Sequence, residues 1–128
     1  MRLYIDNQYS KLVTDLIHSL HEIDASRKHE VVTGKWESSF TASDTVVFLW
    51  ETNNRGFSQQ ILKHYTDGFM VFTYRKPYNK PLDLFQLSLL LLSQWKKILK
   101  LIENNSTPFL YTITDSTRPL NKYSPDKS

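Results

Sequence analysis

The chain opens with Arg2-Leu3-Tyr4-Ile5-Asp6-Asn7, a short apolar and alternating run that ends on an acid. This pattern predicts a strand bounded by polar residues. From Ser10 onward the period changes. Leu12, Val13, Leu16, Ile17, Leu20 and Ile23 recur at helical spacing, with Lys11, Asp15, His18 and Glu22 on the other faces, and an amphipathic helix follows from that. A short strand is expected over 29–33, and 34–43 reads as a brief helix that carries Trp36 and Phe40 inward. The clearest strand is 45–50, where Val-Val-Phe-Leu-Trp runs without a polar break, as in strands buried on both faces. Glu51 stands at its end.

Thr52-Asn53-Asn54-Arg55-Gly56 has turn chemistry. A helix begins at Phe57, with Ile61, Leu62 and Tyr65 inward and Gly68 suited to the residue just past its end. Another strand covers 69–74 and stops at Arg75-Lys76-Pro77. The longest helix is 82–104, with Asp83 in its first turn and its lysines late, as the helix dipole favours. The last strand, 107–114, contains Pro108, which argues for a sheet edge. Residues 115–128, rich in Ser, Pro, Lys and Asn, read as a flexible polar tail. No internal repeat or second domain is seen, so 1–114 forms a single domain.

Strands alternating with helices predict an α/β fold. Its three layers would be a mostly parallel sheet of about five strands with helices on both faces. Right-handed crossovers and a switch in winding direction between the first strand and 45–50 would make those two strands neighbours. Asp6 and Glu51 would then stand together at the carboxyl edge, where open α/β sheets collect their functional groups. Taken alone, Asp6 fits a helix N-cap equally well. Two neighbouring carboxylates repel unless a cation joins them, and hard Mg²⁺ or Mn²⁺ suits oxygen ligands.

Composition narrows the choices. With no cysteine, the chain has no disulfide framework, thiolate metal site or cysteine nucleophile, which fits a reducing cytoplasm. Three glycines in all exclude a P-loop. The net charge of +3 is compatible with a nucleic-acid partner. An acid at position 6 with no apolar run before it argues against a signal peptide. In 82–102 the unbroken apolar run is Leu89-Leu90-Leu91-Leu92, so a buried helix is expected there rather than a membrane span.

Several stretches together resemble the compact PIN-like domains of VapC-type toxins. They are Tyr4-Ile5-Asp6-Asn7, Val47-Phe48-Leu49-Trp50-Glu51 with Asn53, the aromatic strand from Phe69 to Arg75-Lys76-Pro77, and Trp95-Lys96-Lys97-Ile98 followed by Pro108-Phe109-Leu110-Tyr111-Thr112-Ile113-Thr114. The resemblance covers 1–114 through order and spacing. It implies a small endoribonuclease whose strand-end acids hold one or two divalent ions against an RNA phosphodiester, with a cognate antitoxin as partner. Asp6 matches the first acid, and Glu51 stands where the family carries Asp. The family's acid before its tryptophan is replaced by Gly34-Lys35 ahead of Trp36, leaving Glu37, just after it, as the substitute. Asn7 and Asn53 fall in with the site. The departure leaves two readings: a nuclease with Asp6, Glu51 and Glu37 as catalytic groups, or a catalytically degenerate domain that binds RNA or protein.

Arg55, Arg75, Lys76 and Lys80, with Tyr74 and Tyr78 interleaved, fall in or beside loops on the same edge. Such groups engage RNA phosphates and stack on unpaired bases; solvated basic turns look the same in sequence. His18, His21, His29 and His64 read as surface histidines with no third metal ligand beside the helical pair. The leucines of 87–92 cover more of the helix than one amphipathic face requires. Deep burial is the preferred explanation, with a homodimer or antitoxin contact as the other.

Overall fold

Val46, Val47, Phe48 and Leu49 are fully buried, as their unbroken apolar run requires. They lie in a central strand of a six-stranded sheet. The computed structural model describes residues 1–6, 11–23, 29–51, 57–75, 84–105, 108–113 and 120–123. Its elements are β1 (Arg2–Asp6), α1 (Lys11–Ile23), β2 (Glu30–Gly34), β3 (Thr45–Glu51), α2 (Gln59–Thr66), β4 (Met70–Arg75), α3 (Leu84–Asn104), β5 (Phe109–Ile113) and β6 (Asn121–Lys122). The strand order is β2-β1-β3-β4-β5-β6. The first five strands are parallel, and β6 pairs antiparallel with β5. This is the expected α/β architecture, with β1 and β3 adjacent and helices on both faces.

One face carries both long helices. Val13 and Ile17 of α1 and Leu87, Leu90, Leu91, Trp95, Ile98 and Ile102 of α3 pack on Leu3, Ile5, Val46, Phe48 and Phe72. Phe48 stacks on Phe72 with centroids 5.2 Å apart and planes at 16°, an offset pair worth about 0.5–1.5 kcal/mol beyond its buried area. The other face is thinner. Ile61 of α2 packs there on Val47, Leu49, Val71 and Leu110, beside Phe40 and Ala42.

That division sets the hands of the crossovers. The chain moves one way from β1 to β2 over the α1 face, then the other way to β3 and β4 over the α2 face. Reversing direction and face together preserves the hand, so these three connections share it. The step from β4 to β5 keeps the direction but returns through α3 to the α1 face. It therefore has the opposite hand, against the expectation of uniformly right-handed crossovers. The leucine-rich helix thereby joins α1 on one apolar face.

Local chemistry explains the α2 boundaries. The Ser58 hydroxyl accepts from the Ile61 N–H at 3.4 Å as N-cap, and Gly68 follows the Asp67 C-cap at φ +97°. Several expectations need correction. Residues 34–43 form no helix; they carry turns and cross the α2 face of β1, with Trp36 exposed on its outside and Phe40 partly buried. Pro108 does not mark an edge, because it precedes Phe109 and removes no ladder hydrogen bond while β6 pairs on the outer side. Within the stretch read as a polar tail, Asn121–Lys122 forms β6 and Leu120 and Tyr123 pack on the domain. Among the described residues no helix is long and apolar enough to cross a membrane.

Candidate functional site

The sheet reverses its winding between β1 and β3, and in open α/β sheets a crevice forms at the carboxyl ends beside such a reversal. Asp6 ends β1 there, at 9% exposure and in register with Gly34 of β2. One step beyond the β1–β3 pairing of Ile5 with Phe48, Asp6 lies in the row of Leu49. Glu51 closes β3 two residues farther on, with Arg75 of β4 as its register partner. For Glu51 and Arg75 the backbone is what the structure describes. With a rise of about 3.3 Å per residue and strands about 4.8 Å apart, the Asp6 and Glu51 Cα atoms are roughly 8 Å apart. Two carboxylate side chains rooted at that separation are long enough to share one ion.

Asp6 lies on the same face of β1 as Tyr4, two residues earlier. The Tyr4 hydroxyl donates to the Gly34 carbonyl at 2.7 Å, fixing the end of β2 against β1. Gly34 itself sits at φ +111°, a conformation that glycine adopts without strain. Burial, with the Asp6 charge adding to it, pushes the Tyr4 pKa up to about 12. The Asp6 charge is thus felt at the Tyr4 phenol, with burial the larger influence.

Trp36 leaves the end of β2 and lies across this face. Its ring meets Tyr4 at 5.2 Å, Phe40 at 5.0 Å, His64 at 4.6 Å and Phe69 at 5.3 Å, all edge-on. Below them, the Arg2 guanidinium sits 4.5 Å over the Phe40 ring and 3.5 Å from the Asp44 carboxylate. The Thr45 hydroxyl on Asp44 is the main cause of that carboxyl's lowered pKa. Burial, the largest influence on His64, lowers its pKa below the ordinary value, against the opposing pull of Asp67.

Comparisons with protein families, curated proteins and solved structures give no match to this chain.

Of the residues singled out in the sequence, Asp6 and Glu51 are brought to neighbouring strand ends, and Arg75 ends the next strand. Glu37 is exposed in the turn after Trp36, where its carbonyl accepts from the Phe40 N–H at 3.1 Å. Asn7, Asn53, Arg55, Lys76, Tyr78 and Lys80 lie outside the described residues. Among the described residues no three His, Asp or Glu side chains are grouped to hold a metal.

Sequence reasoning missed Thr73. The row through Leu49 continues on the α2 face to Thr73 and Thr112, both buried. The Thr73 hydroxyl has no hydrogen-bond partner among the described residues. A lone threonine in an apolar strand gives no signal of this, because Thr is an ordinary strand former.

His18 is exposed as expected, whereas His21 and His29 depart from the surface reading. His21 is buried with its ring 5.1 Å from Trp95. The His29 side chain is 7% exposed, 6.1 Å from the His21 ring and 3.7 Å from the Glu103 carboxylate. These groups sit at the amino edge of the sheet, away from Asp6, and join α1, β2 and α3.

Proposed function

We propose that this chain is a metal-dependent endoribonuclease of the PIN-like, VapC-type class. The observation that supports it is the adjacency of β1 and β3 at the winding reversal, which sets the strand-end acids Asp6 and Glu51 on neighbouring strands. In this reading Asp6 and Glu51 hold Mg²⁺ or Mn²⁺. Bound there, the ion supplies Lewis-acid polarisation of a phosphodiester and a more acidic water. The chain's own groups do the rest. Arg75, with Arg55 and Lys76, engages the RNA phosphates, and Tyr78 offers a ring to an unpaired base. Glu37 is the remaining acid nearest in sequence to Trp36, and a cognate antitoxin would act by covering this edge.

A second reading has support of its own. Glu37 is solvent-exposed, and among the described residues Asp6 and Glu51 are the acids at adjacent carboxyl strand ends. A domain with two acids fits an RNA- or protein-binding module that has lost catalysis.

Cleavage of single-stranded RNA by the purified chain separates the two. The nuclease reading expects slow cleavage that prefers Mn²⁺, abolished by Asp6→Asn or Glu51→Gln, with RNA affinity retained. Replacing Arg75 and Lys76 by alanine should weaken binding and flatten its salt dependence by about two phosphate contacts. If no divalent ion supports cleavage and the acid variants behave as the parent, the binding module is the correct reading.

A further inference from the structure

A row of aromatic rings runs outward across one face of the sheet and stops short of its edge. Phe48, Phe72 and Tyr111 are register partners on β3, β4 and β5. Phe48 stacks on Phe72, and Phe72 stacks in turn on Tyr111 at 21°, with centroids 6.0 Å apart. The next position in the row is Lys122 of β6, which brings no ring. Tyr111 is only partly buried there. It lines a groove of about 390 Å³ with Leu101, Leu120, Lys97, Lys100 and Asn104, a volume within the roughly 300–1,000 Å³ of small-molecule sites.

We propose that this groove binds a nucleoside diphosphate, its base extending the row beyond Tyr111 and its phosphates meeting the lysines. The row itself selects a planar ring over an acyl chain. Bases stack on aromatic faces in the offset geometry that already joins Phe48 to Phe72. Leu101 and Leu120, both partly buried, add apolar lining beside Tyr111. Asn104, exposed at the end of α3, carries the paired donor and acceptor that a base edge can use.

Charge selects the anion. Lys97 and Lys100 stand one turn apart on α3, both exposed. Lys122 is the cross-strand neighbour of Tyr111, on the same face of the sheet and also exposed. Among the described residues no carboxylate pairs with any of these lysines. Glu103 lies on the other flank of α3, 3.7 Å from His29. A diphosphate carries about three negative charges at neutral pH, a match for the three ammonium groups. The groove involves neither β1 nor β3, so it is separate from the Asp6–Glu51 edge.

Titration calorimetry with ADP, in EDTA so that no metal ion contributes, tests this. One ADP per chain is expected, with adenosine and pyrophosphate each at least about tenfold weaker. Lys97→Gln combined with Lys100→Gln, both on the surface, should weaken ADP and flatten its salt dependence. Tyr111→Leu should weaken ADP by about tenfold, the worth of one base–aromatic stack, and leave pyrophosphate binding as it was. Because Tyr111 also packs on the core, amide NMR of the parent chain gives a reading that no substitution disturbs. ADP should shift the amides of 97–104, 111 and 120–122. No heat and no shifts at about 2 mM ADP overturn the proposal, as do shifts centred on Asp6. Pyrophosphate that binds as tightly as ADP, with Tyr111→Leu weakening neither, reduces the groove to a basic surface and refutes it. If ADP fails but a single-stranded RNA binds and the Lys97, Lys100 and Tyr111 changes weaken it, the groove serves RNA and the nucleotide proposal falls.

Discussion

The Tyr4 hydroxyl reaches across to the neighbouring strand and donates to the Gly34 carbonyl at 2.7 Å. Tyr4→Phe removes that donor and leaves a carbonyl beside a buried ring. A loss of about 1 kcal/mol in unfolding free energy is expected by urea denaturation. The same residue predicts alkaline behaviour. Folding raises its pKa from 10.0 to about 12, so the native chain holds the phenolic proton more tightly than the unfolded one. That contribution is complete below pH 10 and is lost as the pH rises toward 12. The Tyr4→Phe variant should show a shallower alkaline decline, and spectrophotometric titration should find Tyr4 among the last phenols to ionise.

His64 gives the opposite pH signature. Its burial against Trp36 and Phe69 disfavours the cation. A folded pKa below the unfolded 6.5 means the unfolded chain takes up the proton first. The stability tied to this residue is therefore present above pH 6.5 and is lost as the pH falls through the folded value. His64→Phe keeps an aromatic ring in the cluster and removes the titration. The difference in melting temperature between variant and parent should widen in the variant's favour from pH 7 to pH 5.

Thr73 is fully buried, and its hydroxyl lacks a hydrogen-bond partner among the described residues. Thr73→Val is nearly isosteric and removes the desolvated oxygen. A gain of about 1 kcal/mol is expected from chemical denaturation. A loss instead would mean that the hydroxyl is hydrogen-bonded in solution.

Gly68 holds φ +97° directly after the α2 cap, and an added Cβ would meet Ala42 Cβ at 3.6 Å. Space is adequate there, so the cost of Gly68→Ala is conformational. It should destabilise by about 1 kcal/mol, whereas Gly68→Asn, which tolerates this region better, should cost less.

Periodicity made most of this fold legible, because burial acts directly on it. The unbroken run in β3 could only be a strand covered on both faces, and Gly68 marked the end of α2. The reversal that joins β1 to β3 also followed, since it depends on strand order and general connection rules. Other features depend on partners that a pattern does not name. Trp36 and Phe40 looked like one face of a helix, yet they pack on Tyr4 as an extended crossing with turns. His21 and His29 looked like polar surface, because the burial of an imidazole beside Trp95 or near Glu103 depends on which helix arrives there. Leu12, Leu16 and Leu20 belonged to the same apolar count as Val13 and Ile17. A list of apolar positions does not show that a helix has more apolar surface than its sheet can cover.

The candidate site was legible at the level of placement. Asp6 and Glu51 could be set on adjoining strand ends from sequence and topology. The Tyr4–Gly34 bond could not, because it depends on how pairing in the sheet sets a side-chain hydroxyl of one strand against a backbone carbonyl of the next.

The two residues of β6 protect the chain from a hazard carried by β5. Phe109-Leu110-Tyr111-Thr112-Ile113 has no charge and is built from aromatic, branched and aliphatic residues, the composition that recruits strands from other molecules. In the folded chain Asn121–Lys122 occupies the outer edge of that strand, and the Tyr123 N–H donates to the Leu110 carbonyl at 2.7 Å. A cut between 113 and 121 would leave the five parallel strands their own pairings and uncover a ready template for fibrous aggregation. The short closing strand therefore acts as a guard on solubility, and nicked protein should precipitate well before it unfolds.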